Sequence, residues 1–336
     1  MFKTLERPIG TYAGTVPISF PLFGVSSGPI AANLSLDYNS TGGIKVEELG
    51  GPIGLGFNLN DGGGRITQMV RGKRPDDRGG ILNGASSLRP STWGCYLTDV
   101  DNIDVGEVDM EADVFMYSFN GYSGKFFIKE NGQIILAKND GIKIDYGGIP
   151  DQYTGFTNWT ITDERGNKYV FGHMITNEST YYSNGGAGST SISSISYYLD
   201  YIEDMNGENR ISFTYTGTGN TFSTYSGGFL HVGPVGPFCA RFNTSYDQGS
   251  VTTDGSELLV SRIDARSGYI LVNSSPVYPS GPKRITSVQL YDPGNNLKNN
   301  TGSTMGPALP TTAKSWSTLP KQEPPAPTVS LPNLTI

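Results

Sequence analysis

Short runs of β-branched and aromatic residues, cut at close intervals by turn dipeptides, constrain this chain most. In "DVFMYSFNGYSGKFFIKENGQIILAKNDGIKIDY" and "NWTITDERGNKYVFG" the runs are broken at Asn120-Gly121, Asn131-Gly132, Asp140-Gly141 and Gly166-Asn167. Asn-Gly and Asp-Gly tolerate the positive φ angles of type I′ turns, so each is a hairpin signal. Four strands meandering from Asp113 to Tyr146 are expected. "SYYLDYIEDMNGENRISFTYTG" repeats the logic around Asn206-Gly207, with Ile211, Phe213 and Tyr215 alternating beyond it. Tyr198, Ile202 and Met205 also lie at helical spacing, but the Asn-Gly stop after so few residues favours strand. "TVPISFPL", "AANLSLDY", "SELLVSRIDARSGYILVNSS" and "KRITSVQLYD" add further strands, and no helical pattern reaches twelve residues. The expected fold is all-β, with antiparallel meanders forming large sheets, shell-like or sandwich-like.

Composition agrees. Of 336 residues, 16% are charged and 11% aromatic, with 45 glycines, against about 25% charged in an average soluble domain. This profile suits a secreted or surface β-protein. The 24 Lys and Arg against 31 Asp and Glu leave a net charge of −7, so no nucleic-acid partner is expected. No run of 18 apolar residues is present, hence no helical membrane span is expected, and "MFKTLERPIG" lacks the apolar core of a signal peptide. Cys95 and Cys239 fit neither a disulfide scaffold nor a four-ligand zinc site; two buried thiols are expected, with one long-range disulfide as the alternative. Residues 1–290 read as one β domain with a sub-boundary near the Gly/Ser-rich stretch 181–194, expected to be a mobile loop. Residues 291–336 read as an extended Pro/Thr/Asn-rich tail.

The search for chemistry begins at "GGIKVEELGGPIGLGFNLNDGGGRITQMVRG", residues 42–72. Gly54 and Gly56 open a dinucleotide fingerprint, but Leu59 holds its third glycine position, and "GGGRIT" lacks the Lys-Ser/Thr of a phosphate loop. The glycines are expected to shape strands carrying Ile44, Val46, Leu49, Leu55, Phe57, Leu59, Ile66 and Val70 toward a core. The basic loop "RITQMVRGKRPDDR" contains Asp76 and Asp77 and reads as solvated or ion-paired. His173 and His231 read as structural or surface residues, and no serine stands in a nucleophile elbow. In "TDVDNIDVGEVDMEADVF" carboxylates crowd at a density that can hold Ca²⁺. Asp99, Asp101 and Asp104 are the candidate ligands, although the EF-hand pattern is missing. From Glu107 to Val114 acids alternate with apolar residues, the pattern of a strand with a wet face. A glycosidase carboxylate pair drawn from one strand would not straddle a substrate. Trp93, Trp159 and Tyr181 are candidate sugar-stacking aromatics, with core packing as the competing role.

The order of motifs resembles the opening module of Rhs/YD-repeat proteins. "GTYAGTVPISFPLF" and "NLSLDYNSTGGIKVEELGGPIGLGFNLNDGGGRITQMVRGKRPDD" carry the resemblance, with Phe57 where the family commonly has Trp. "FMYSFNGYSGKFFIKENGQIIL", "WTITDERGNKYVFG" and "YYLDYIEDMNGENRISFTY" follow in the same order, so residues 10–220 are covered. The resemblance implies β-sheets that spiral into a hollow shell and no catalytic residue in this module; apart from the candidate Ca²⁺ read from the carboxylates, no cofactor is expected. The implied partners are downstream domains of a longer polypeptide or another protein of a surface or secretion assembly; a glycan is the alternative. The run of tyrosine–aspartate repeats that builds the shell wall is missing, which fits a fragment of a longer polypeptide or a stripped-down relative.

Overall fold

The structure, a computed structural model, describes residues 17–39, 51–72, 74–78, 80–82, 111–147, 155–184, 187–234, 242–278 and 281–302. The chain divides into two units, Met1–Gly302 and Ser303–Ile336; the second lies outside the described residues, and every described strand belongs to the first. Every element described is a strand or a turn, so the all-β architecture expected from the sequence holds.

Sixteen strands follow one another: β1 (Pro17–Ser27), β2 (Ile30–Asn39), β3 (Phe57–Asn60), β4 (Gly64–Met69), β5 (Val114–Phe119), β6 (Tyr122–Ile128), β7 (Ile134–Leu136) and β8 (Lys143–Gly147); then β9 (Asn158–Thr162), β10 (Lys168–Asn184), β11 (Ala187–Glu203), β12 (Arg210–Pro234), β13 (Phe242–Ala265), β14 (Gly268–Pro276), β15 (Lys283–Tyr291) and β16 (Leu297–Gly302). β1, β2 and β3 form a small sheet. The other thirteen form a large one along the path β16-β15-β14-β13-β10-β11-β4-β5-β6-β7, with β12 bridging β11 and β13, and β8 and β9 branching from β10. All pairings are antiparallel, as turn-linked strands allow.

One circuit stands inside this sheet. β12 pairs with β11 through Tyr201–Glu203 against Arg210–Ser212, and with β13 along most of its length. β13 in turn meets β10, Glu178–Asn184 against Gly249–Gly255, and β10 meets β11. Four long strands therefore close on themselves, which removes free edges from the middle of the molecule.

Several expectations need correction. Within the Gly/Ser stretch 181–194, residues 181–184 and 187–194 are not a loop: they form the ends of β10 and β11, with Tyr181 opposite Thr190. Two long strands supply each other's backbone partners there, and their composition is overruled by pairing. The expected four-strand meander stops at three, because β8 pairs with β9 and not β7. Residues 291–302, assigned to the tail, complete β15 and form β16.

The core is aromatic. Rows of register partners such as Ile195, Gln68, Phe115, Phe126 and Leu136 share the inner face of β11, β4, β5, β6 and β7. Trp159 is fully buried, 4.6 Å from Phe156, 5.2 Å from Phe115 and 5.4 Å from Phe126 between ring centroids. Such offset and edge-on pairs add to the burial of their area. The small sheet contributes Val25, Ala32 and Leu34 to the same core. It is fastened to the far end of the chain, where Ser267 N–H donates to Ser26 O at 3.0 Å and Ser267 Oγ accepts from Ser26 N–H at 2.9 Å.

The glycines between residues 51 and 72 belong to this construction, and residues 42–50 lie outside the described residues. Gly62 has φ +71, and a Cβ there would stand 2.6 Å from Asn33 O; Gly64 has φ +126 and packs on Ser118 O. Only glycine meets both demands, left-handed backbone and contact with another strand. Ile66, Phe57 and Leu59 join the core as expected.

Three hairpins close on one device. Asp163 Oδ1 accepts the N–H groups of Arg165 and Asn167, both at 2.9 Å, and its Oδ2 accepts Asn167 Nδ2. Asp204 treats Glu208 and Asn209 in the same way, with Asn209 Nδ2 at 2.6 Å. Asp292 holds Asn296 through its N–H at 2.9 Å and its side chain at 3.2 Å. An aspartate facing the turn satisfies amides that the two strands cannot.

Candidate functional site

Asp99, Asp101 and Asp104, together with Trp93, Cys95 and Cys239, lie outside the described residues. Among the described residues, no group of three His, Cys, Asp or Glu is placed to hold a metal ion. Of the candidate sugar-stacking aromatics, Trp159 is core and Tyr181 is exposed. His173 Nε2 stands 3.2 Å from Asp200 Oδ1, its ring edge-on to Tyr215, on a half-exposed part of β10. His231 lies in β12, in register with Ser245.

Residues 99–110 of the acidic segment lie outside the described residues, and Arg71 and Arg74 of the basic one are exposed, but three aspartates of the two segments are not solvated. Asp76, Asp77 and Asp113 are all fully buried, beside a fully buried Gln68. Asp113 was expected on a wet strand face, and Asp76 and Asp77 in a solvated or ion-paired loop; all three are buried in one polar cluster, with Asp77 Oδ2 3.8 Å from Arg78 Nε. Asp113 N–H donates to Asp76 Oδ2 at 2.9 Å, and Asp76 N–H donates back to Asp113 Oδ2 at 2.9 Å. Gln68 Nε2 donates to Asp113 Oδ2 at 2.8 Å and Asp77 Oδ1 at 3.0 Å. Arg71 N–H reaches Asp113 Oδ1 at 2.8 Å, and Phe156 N–H reaches Asp77 Oδ2 at 2.9 Å. The carboxylates are therefore fasteners, joining the 75–82 turn and Phe156 to the ends of β4 and β5. Burial pushes the Asp113 carboxyl up to about 6, and the neighbouring Asp77 charge acts in the same direction.

A groove separates the small sheet from the large one. Its larger part, about 820 Å³, is lined by Asn33, Asp37, Asn58, Ser118, Asn120 and Tyr122, among others. A second part of about 550 Å³ shares Asn33, Asn120 and Tyr122 and extends to the Asp163 turn. Tyr122 is stacked on Phe119 with centroids 5.3 Å apart, and Asn120 donates to Tyr169 Oη at 2.7 Å. Arg65 and Glu257 bridge β4 and β13 at 3.6 Å along its wall. Amides, hydroxyls and one supported tyrosine ring could hold a neutral, polyhydroxylated ligand by hydrogen bonding and stacking. No local sequence pattern marked this groove, because its walls come from segments more than two hundred residues apart.

The sheet also has exposed apolar ends. Phe127 and Ile135 are register partners on β6 and β7, the last rung at one end, and both are exposed; Leu297 is exposed on β16 at the other.

No family model matches the chain, and no curated protein matches it. Among solved structures the chain is similar to one from the Photorhabdus luminescens Tc holotoxin pore, in a form mutated in its TccC3 component. The two are 10% identical with a TM-score of 0.34, over 85% of this chain and 15% of that one. The chain thus spans about 15% of that protein's length, and a likeness this distant assigns no function.

Proposed function

We propose that the chain is a non-enzymatic structural and interaction module, the N-terminal part of a secreted or surface β-shell protein of the Rhs/YD-repeat type. The observation that carries this reading is the large sheet with apolar residues exposed at both ends of its path, at Phe127 and Ile135 on one side and Leu297 on the other. End strands offer a row of backbone donors and acceptors to a further strand, and exposed apolar residues beside them favour coverage. Downstream domains of a longer polypeptide, or another protein of the assembly, would supply that strand. Chemical cross-linking of the native protein from its producing cells tests this. Links from Lys125, Lys129 and Lys298 to downstream strands or to another chain are expected. Links confined to residues 1–336, from a species that sediments as a monomer, would overturn it.

A second reading, a carbohydrate- or receptor-binding module, rests on the polar groove between the sheets. A glycan array is its test, with loss of any signal expected in the double variant Asn120→Ala, Tyr122→Ala; a blank array removes it. The Ca²⁺ proposal for Asp99, Asp101 and Asp104 is separable: Ca²⁺ should raise the unfolding temperature and EDTA reverse the rise, and no response ends it.

A further inference from the structure

β13 changes neighbours part-way along one of its edges. β10 accompanies it over Gly249–Gly255, and β14 joins it only at Arg262. The stretch between, Ser256–Val260, pairs with Tyr215–Gly219 of β12 on one side. Among the described residues no strand takes the other side, which leaves about 17 Å of strand edge. Two side chains stand where that strand would be. Asn177 Nδ2 donates to Ser256 O at 3.1 Å, and Leu258 N–H donates to Tyr198 Oη at 3.4 Å. The second bond is longer than the usual range of about 2.7–3.2 Å. Asn177 Oδ1 is buried without a hydrogen-bond partner, so this amide serves the strand edge while its own acceptor stays unserved.

Room for a chain lies against the same edge. The groove between the sheets reaches Glu257, Leu258, Leu259 and Val260. A further cavity of about 610 Å³ runs from Gly255 and Ser256 past Asn177 to Val277 and Lys283, and both spaces are lined by Pro52 and Glu257. The Lys283 ammonium donates to the neutral Thr216 hydroxyl. We infer that this edge is a docking slot for one extended polypeptide strand that carries an acidic side chain at its Lys283 end. Backbone C=O and N–H groups alternating along a strand edge are matched by the same groups of another strand. The incoming strand displaces the two side chains, giving an N–H to Ser256 O and a C=O to the Leu258 N–H. The inference rests on the reading of the chain as an interaction module, and it adds a site in an internal gap of the sheet to those at its ends.

Panning a random-peptide phage library on the full chain tests the slot. Enriched peptides should carry an acid beside a β-branched run. They should lose binding when resynthesised with alternate backbone amides N-methylated, a change that keeps every side chain. Their binding should slow hydrogen exchange of the Leu258 amide several-fold. Tyr198→Phe and Asn177→Ala each remove a group that occupies the edge, and each should bind the peptides several-fold more tightly, a gain that a purely structural role would not produce. Lys283→Gln should bind them several-fold more weakly. An empty selection, N-methylated peptides that bind as well as their parents, or unchanged affinity in both Tyr198→Phe and Asn177→Ala would overturn the slot. Dimers of the chain that protect Leu258 without peptide would assign the slot to a second copy and overturn its assignment to a separate strand. These readouts sit on β13 and are independent of the cross-links from Lys125, Lys129 and Lys298. Failure here with those links present removes the slot alone, and absence of those links removes the module reading.

Discussion

At the scale of single residues, Trp159 and Asp113 mark the two extremes of what burial does here. Trp159 touches Phe115, Phe126, Phe156 and Tyr197 at once, so no neighbouring side chain can refill its volume. Trp159→Ala should cost about 3–5 kcal/mol, measured as a fall in the urea midpoint at unchanged slope. Gly62→Ala should also destabilise the protein, because a methyl group there meets Asn33 backbone and requires a left-handed conformation. A chain as stable with alanine as with glycine would disprove that packing. Trp159 as core was one of two roles the sequence allowed. Asp113 was misplaced because acid–apolar alternation reports one face of a strand only while the chain is paired. Asp113 stands just before β5, where its partners are Gln68, Arg71 and Asp76, some forty residues upstream. Local periodicity carries no trace of such partners.

At the scale of elements, hairpins were the most legible feature, since a positive-φ dipeptide announces a turn from two letters. Asn120 does adopt φ +41 between β5 and β6. The aspartate that organises the three other turns was less visible, because its role depends on amides positioned by the completed hairpin. The Asn209 side chain, followed by backbone N–H groups, holds the Asp204 carboxyl below its ordinary value. A carboxyl lowered in the folded state gives stability present above its unfolded value and lost as pH falls through the folded one. The wild-type midpoint should therefore drop as pH falls below about 4, and Asp204→Asn should drop less over that range while being less stable at neutral pH. Identical acid limbs for the two proteins would remove Asp204 from the turn's stability. Strand length was the poorest inference. The Gly/Ser content of "YYSNGGAGSTSISS" marks a loop, yet Tyr181–Asn184 pair with β11 on one side and with β13 on the other.

For the whole molecule, fold class followed from scarce helix patterns and frequent turns, whereas topology did not. The closed circuit of β10, β11, β12 and β13 depends on β13 reaching β10 across about seventy residues, a pairing with no local signature.

The fastening of β1 to the loop before β14 governs the order in which the molecule can be built. Ser26 and Ser267 are separated by 241 positions. At typical synthesis rates roughly 10–50 s elapse between their emergence from the ribosome. Through most of that interval the small sheet of β1, β2 and β3 stands without the later strands β12, β13 and β14 that it meets in the finished fold, with Val25, Ala32 and Leu34 short of cover. A nascent chain stalled before residue 267 should thus be a client for chaperones that bind exposed apolar segments, and release should come only when the last third has been translated.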